Sequence, residues 1–193
     1  MHDIGSKPTV RQSILVSRSS LTEQERSAAG RSLRDALLER PEVEMAASIA
    51  AYVAIGTEPP TSGLLFALWK RGTYVLLPVL RDDGDLDWAS YEGPDSLRKG
   101  RHGLLEPTEP LRGPAAIGAT DVVIVPALAV DRSGVRLGRG GGSYDRALAR
   151  VGPAILTVGL LYDGELLDQV PHEPHDQRLR AVVTPGGGFT PLG

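Results

Sequence analysis

Residues Val125 to Arg150 read VPALAVDRSGVRLGRGGGSYDRALAR, and their order decides the fold. The apolar run Val122–Val130 comes first, has the composition of a strand covered on both faces, and is expected to end at Pro126 or a few residues beyond. A turn at Asp131–Gly134 follows, then the cluster Arg136-Leu137-Gly138-Arg139-Gly140-Gly141-Gly142, then a helical segment opened by Ser143-Tyr144-Asp145-Arg146. A strand, a glycine-rich loop and a helix start in that order make a site for anionic oxygens. Glycines let backbone N–H groups crowd toward the ligand, and a helix N-terminus adds partial positive charge. Arg136 and Arg139 add full charges and forked donors suited to phosphate.

Outward from this stretch the chain alternates. The spacing of Val10, Ile14, Leu15 and Leu21 predicts one helical face between about Lys7 and Ala29, with a fresh start where Thr22 caps and Glu25 follows three residues later. The second helix carries Leu33, Leu37 and Leu38 and stops before Pro41. Ser48–Ile55 reads as a buried strand, Thr61 or Ser62 caps a helix through Lys70, and Gly72 closes it. Tyr74–Leu80 is a strand stopped near Pro78, and Leu86–Tyr91 alternates like an edge strand. Pro94–Pro114 is expected to be mostly loop, with Leu97 in a short helical turn. Ile155–Leu160 and Leu179–Val183 are further strands around a Val170–Asp176 loop, and residues 185–193 have the composition of a flexible tail. The expected fold is a single α/β domain over residues 1–193, a doubly wound, mostly parallel sheet with helices on both faces.

Composition bounds the function. The chain has 193 residues, a net charge of −3, 41% hydrophobic and 23% charged residues and no cysteine. That excludes thiol catalysis and disulfides, and gives no basic footprint for nucleic acid. No apolar run approaches the roughly 20 residues of a membrane span, and the N-terminus lacks a secretory core. A soluble cytoplasmic protein, and a monomer, is the expectation.

Ligands of such sheets sit beyond the strands' carboxyl ends. That rule selects Glu58, the glycine loop, Tyr162 with Asp163, and the His172–Asp176 loop. Each has a plainer reading. A Gly-Gly-Gly run is also what a flexible turn looks like, Glu58 a solvated residue before Pro59-Pro60, Asp145 a first-turn acid, and Asp176 a surface turn residue. The loop spacing is neither GxxxxGK[ST] nor GxGxxG. Two hard carboxylates beside a phosphate loop suit Mg²⁺. His172 and His175 lack a third soft ligand nearby, which argues against zinc.

The run Pro126-Ala-Leu-Ala-Val-Asp131-Arg-Ser-Gly134-Val-Arg136-Leu-Gly138-Arg-Gly-Gly-Gly142-Ser-Tyr144-Asp145-Arg146 resembles the signature P-G-[aromatic/small]-x-F-D-x-x-G-x-R-L-G-x-G-G-G-Y-Y-D-R of 5-formyltetrahydrofolate cyclo-ligases. Lys7-Pro-Thr-Val-Arg11 is similar to that family's opening Lys-x-x-x-Arg. Tyr52…Glu58-Pro-Pro-Thr61, Glu106-Pro107 and Glu173-Pro-His-Asp176 followed by Thr184 match its remaining motifs, so the resemblance covers nearly the whole chain.

The resemblance implies ATP-dependent closure of 5-formyltetrahydrofolate to 5,10-methenyltetrahydrofolate, with Mg²⁺ as cofactor. It implies ATP contacts from Lys7, Arg11, Arg136, Leu137, Gly138, Arg139, Gly140, Gly141, Gly142, Ser143 and Tyr144. It implies folate contacts from Val53, Glu58 and Arg139 through Ser143, and Mg²⁺ at Asp145 and Asp176. Arg139 and Lys7 are the expected catalytic charges. The chain departs from the family at Ser143, where a tyrosine is usual, at Val130 for phenylalanine and at Ala127 for glycine. Two other classes fit the same residues: a nucleotide- or folate-binding protein without catalysis, and an ATP-dependent enzyme of the same fold acting on a non-folate substrate.

Overall fold

The computed structural model describes residues 6–100, 103–171, 173 and 177–193. Its elements are α1 (Lys7–Ser20), α2 (Glu23–Leu38), α3 (Pro41–Glu44), β1 (Ser48–Ala50), α4 (Ser62–Lys70), β2 (Tyr74–Leu80), β3 (Leu86–Ser90), β4 (Leu97–Lys99) and β5 (Leu105–Pro107). There follow β6 (Val122–Pro126), β7 (Ala129–Asp131), β8 (Arg136–Leu137), α5 (Ser143–Leu148), β9 (Leu156–Leu160), β10 (Leu166–Leu167), β11 (Ala181–Thr184) and β12 (Gly188–Pro191). The main sheet runs β12-β11-β9-β6-β1-β2-β3, so the apolar run of the opening stretch lies at its centre. Strands β11, β9, β6, β1 and β2 are mutually parallel, and β12 and β3 close the two edges antiparallel. The fold is α/β with a mostly parallel sheet, as expected.

The twofold repeat of a strand explains how one run serves two cores. Val122 and Ile124 face a cluster with Leu33 and Leu37 of α2 and Leu64, Leu65 and Leu68 of α4. Val123 and Val125 face the opposite cluster, built from Trp88, Ile117, Ala147 and Leu148. Helices therefore cover the two faces unequally. On the second face the cover is α5, the 3-10 helix Pro114–Ala119 and a small sheet ordered β10-β7-β8. Helix α1 packs on that small sheet, with Ile14 against Leu128, Val135 and Leu137.

The predicted capping box forms. Glu25 N donates to Thr22 Oγ1 at 3.2 Å and Thr22 N donates to Glu25 Oε2 at 2.7 Å. At α4 the expected side-chain cap is absent, because Thr61 is engaged elsewhere: its hydroxyl donates to Tyr52 O at 2.8 Å and accepts from Ala54 N at 2.9 Å. This bond belongs to the largest shortening of an expected strand. Ser48–Ile55 pairs only over Ser48–Ala50, and the remainder bends across the strand ends, held by Thr61.

Other differences have similar causes. Strand β2 has the expected bounds, Tyr74–Leu80, and runs two residues past Pro78, because Leu76 O accepts from Ala51 of the β1 side and Pro78, two residues on, faces that same side beyond the end of β1. No ladder donor is needed there. The 122–130 run breaks at Ala127-Leu128, where the chain passes from the main sheet to the small one. The segment 94–114 contains the β4–β5 hairpin, in which Arg98 lies opposite Glu106, and Leu97 begins β4 directly after a 3-10 turn at Pro94–Ser96. Residues 185–193 are not a free tail: Gly188–Pro191 folds back on β11 in an antiparallel hairpin that the glycine-rich composition conceals.

Candidate active site

The chain passes from β1 to β2 on one side of the sheet and later returns to β6 on the other side of β1. The crevice beyond β1 and β6 is thus the point at which a doubly wound sheet offers a ligand site. A cavity of about 670 Å³ opens there, within the range of small-molecule and cofactor sites. It is lined by Tyr52, Val53 and Glu58 after β1, by Pro126–Leu128 after β6, by Arg136 through Asp145, and by Lys7 and Arg11 of α1. Every described residue that the resemblance implies for the site lines this one cavity. Asp176, and with it His172 and His175, lies outside the described residues.

The loop is built from the turn upward. Buried Asp131 accepts from Ser133 N and Oγ (2.9 and 2.7 Å), from Val135 N (3.1 Å) and from Val170 N (3.0 Å), fixing the β7–β8 turn. An aspartate satisfying the amides just ahead of it is the usual means of holding such a turn. Strand β8 then delivers Arg136, only 7% exposed. Its Nη1 donates to Pro126 O at 3.2 Å and its Nη2 to Asp145 Oδ1 at 2.9 Å, while its Nε is buried without a partner. A Cβ at Gly138 would come within 2.6 Å of the Arg136 guanidinium, so any larger residue there must displace a group held by Pro126 O and Asp145. The Gly138 carbonyl accepts from Arg11 Nε at 2.8 Å, which ties α1 to the loop. Among the described residues, no protein acceptor takes the backbone N–H groups of Gly138 through Gly142. Helix α5 has six residues, so the loop amides and arginines outweigh the short helix as a source of positive potential.

Glu58 is 8% exposed and held on both oxygens, by Arg139 Nε at 3.2 Å and by Ile55 N at 2.9 Å. The phenols of Tyr52 and Tyr144 are buried without hydrogen-bond partners. Burial, reinforced by the Glu58 carboxylate, raises both phenols above their ordinary range, so both stay neutral donors. Two unpartnered phenols and an unpartnered guanidinium N–H are what a cavity awaiting a polar ligand leaves behind. Asp145 is a hard ligand whose second oxygen carries no hydrogen bond among the described residues. One free carboxylate oxygen beside a phosphate-type loop fits Mg²⁺, which is held by one or two carboxylates plus phosphate oxygens. No cluster of three His, Asp or Glu side chains forms among the described residues. Lys7 Nζ reaches Glu173 Oε1 at 3.4 Å.

Other features were not foreseen. Ser143 Oγ donates to Gly84 O at 2.6 Å, and Arg146 Nη2 donates to the same carbonyl at 2.6 Å. The β2–β3 turn is thereby latched to α5, and Pro78, Leu80 and Leu86 become one apolar wall of the cavity. In sequence these residues look like ordinary strand core. Of the other strand-end candidates, Asp163 takes Gly186 N at 2.9 Å and does not line the cavity. Tyr162 stands behind the site and donates to Glu58 O at 3.4 Å. Glu106 accepts from Leu80 N at 2.9 Å, a structural bond.

Known proteins share both the sequence and this architecture. Residues 3–185 match the model of the 5-formyltetrahydrofolate cyclo-ligase family. The 5-formyltetrahydrofolate cyclo-ligase of Mycolicibacterium smegmatis is 40% identical, over 97% of this chain and 97% of that protein. The protein of the same name from Escherichia coli K12 is 34% identical, over 87% and 94%. The solved structure of the 5,10-methenyltetrahydrofolate synthetase of Aquifex aeolicus superposes with a TM-score of 0.84 at 28% identity, covering 96% of this chain and 92% of that one. The glycine loop, the carboxylate after β1 and the N-terminal cations thus sit in a chain matched from end to end, and the chain belongs to the 5-formyltetrahydrofolate cyclo-ligase family.

Proposed function

We propose that the cavity at the β1/β6 switch point is where this chain joins ATP to 5-formyltetrahydrofolate chemistry, with the formyl oxygen as the phosphoryl acceptor. The chain carries 5-formyltetrahydrofolate cyclo-ligase activity and belongs to an ATP-dependent family. The observation that supports the residue roles is the convergence of an amide-rich glycine loop, three arginines, Lys7 and a buried carboxylate on one cavity.

In this reading the formyl oxygen attacks the γ-phosphorus, the bond to the β-phosphate oxygen breaks, and ADP leaves. N10 of the folate then attacks the activated formyl carbon. A C–N bond forms, the N10 proton is lost, and phosphate departs with the former formyl oxygen. The substrate supplies the nucleophile at both steps, so the protein's task is to position the reactants and neutralise charge. Lys7, Arg11 and the amides of Gly138–Gly142 hold the phosphates. Arg139 lies between the phosphate end and Glu58, where it offsets charge on the transferring group. Glu58 accepts from the pterin N–H groups once Arg139 turns to the phosphate, and Val53 packs beside it. The buried phenols of Tyr52 and Tyr144 donate to ligand oxygens. Asp145, with Asp176, is the proposed holder of Mg²⁺, which when bound neutralises charge on the β- and γ-phosphates.

With 5-formyltetrahydrofolate and MgATP, the purified chain is expected to show growth of methenyl absorbance with equal release of ADP. Binding of both substrates without product would instead favour a non-catalytic binding protein. Ser143 is a second point of test. The usual tyrosine there would remove the hydroxyl bond to Gly84 O and place a ring on the cavity wall. Ser143→Tyr is expected to lower the KM for the folate several-fold, on the order of one aromatic contact of about 1 kcal/mol. An unchanged folate KM takes position 143 out of the folate wall.

A further inference from the structure

Within the glycine loop, Gly138 O holds α1 through Arg11 Nε at 2.8 Å, a single bond that does not by itself set the angle of the helix. Lys7, Arg11, Ile14 and Arg18 succeed one another at four, three and four residues, so they share one helical face. Of the residues of α1, only Ile14 and Arg18 are buried. Val10 and Leu15 add only partly buried contacts to the same cluster as Ile14, so the apolar seam is thin and gives the helix little directional restraint. A second specific contact comes from the C-terminal end of α1. Arg18, 1% exposed, donates from Nε to Glu165 Oε1 at 2.7 Å and from Nη2 to Glu165 Oε2 at 2.8 Å. The same Nη2 donates to Ala127 O at 2.8 Å, at the point where β6 gives way to β7 beside the cavity. Glu165, 6% exposed, is fixed in turn by Tyr162 N at 2.8 Å. One guanidinium therefore grips the turn after β9 and the end of the central strand at once.

Such a pair is a poor source of stability, since desolvating two charges offsets most of their attraction. Its best-attested use is to fix register. The lever is long: Lys7 lies about 16 Å along the helix axis from Arg18, so a swing of only ~5° would move it by roughly 1.4 Å. Displacements near 1 Å are enough to cost about a hundredfold in a positioned reaction.

We propose that the Arg18–Glu165 pair is the positioning element that sets α1 against the strand ends, and so places the α1 cations for the triphosphate. The proposal rests on the assignment of Lys7 and Arg11 to ATP. Arg18 does not line the cavity. Its loss therefore weakens MgATP binding and leaves the folate half of the site, held by the loop after β1, largely intact.

The test uses Arg18→Lys, which keeps the charge but loses the fork, and the double variant Arg18→Met with Glu165→Gln, which removes both charges and leaves an acceptor for Tyr162 N. Wild-type turnover of 5-formyltetrahydrofolate with MgATP is measured first, because its absence would count against the function and not against the positioning role. In that event the same variants are compared by calorimetric MgATP affinity. The expected result is a KM for MgATP raised about tenfold in both variants, with the folate KM within threefold and the melting temperature of the double variant close to wild type. A melting temperature that falls while the KM for MgATP stays within twofold would make the pair structural only. Equal rises in both KM values would mean general loosening, and would also overturn the proposal. Should the double variant fail to fold, Arg18→Lys is judged by the same two KM values.

Discussion

Asp145→Ala is expected to lower MgATP-dependent turnover by about two orders of magnitude, the upper range for loss of a metal-site group. Two effects act together. The first is the loss of the carboxylate proposed to hold Mg²⁺ at the cavity. The second is the release of Arg136, whose Nη2 donates to Asp145 Oδ1 at 2.9 Å while its Nε already lacks a partner. A guanidinium only 7% exposed does not tolerate the loss of its counter-ion without moving. Asp145→Asn separates the two effects. The amide oxygen still accepts from Arg136, so the loop keeps its shape, but the negative charge is gone. The asparagine variant should melt close to wild type, lose turnover nearly as far as the alanine variant, and need much more Mg²⁺ for half-maximal rate. Following methenyl absorbance against Mg²⁺ concentration checks all three. Full activity in Asp145→Ala would remove this residue from the metal site. Full activity in the asparagine variant alone would reduce its role to holding Arg136.

How far the site could be read from sequence depended on the range of the interaction. Most of what is written locally was legible. The apolar Val122–Val125 run appears as the central strand, Thr22 and Glu25 appear as a capping box, and the glycine loop appears beside Tyr144 and Asp145. The strand-end rule found Glu58 because position relative to a strand is a local property. What failed was partly local and partly long-range. Two hairpins escaped, Gly188 folding back on Thr184 and Leu97 pairing with Pro107, because their glycine- and proline-rich segments read as loop. The Arg18–Glu165 pair joins residues 147 apart in sequence, and each looks locally like a solvated charge. The latch from Ser143 to Gly84 is hidden in the same way, so position 143 reads as a missing ring when it is also a tie between two walls of the cavity.

Gly134→Ala should be the most damaging single methyl in the loop scaffold. Gly134 has a φ of +88°, a region that costs an alanine about 1 kcal/mol or more. A Cβ there would also collide with the carbonyl oxygen of Leu179 and press on Arg178. Leu179 cannot withdraw, because its N–H donates to Gly134 O at 2.8 Å and its buried side chain belongs to the second core. The turn cannot swing outward either, since Gly134 N donates to Asp131 O at 2.9 Å and Asp131 holds Ser133, Val135 and Val170. Strain and overpacking together suggest a loss of about 2–4 kcal/mol. For a chain of this size that is a fall in melting temperature of about 6–12 °C. Because Val135 leads directly into Arg136, the surviving folded fraction should also show a raised KM for MgATP. Gly152→Ala is the control, at a glycine with nothing within 4 Å of the added carbon. If Gly134→Ala melts no lower than Gly152→Ala, the turn is not the rigid base of the loop, and Arg136 must owe its position to Asp145 and Pro126 alone.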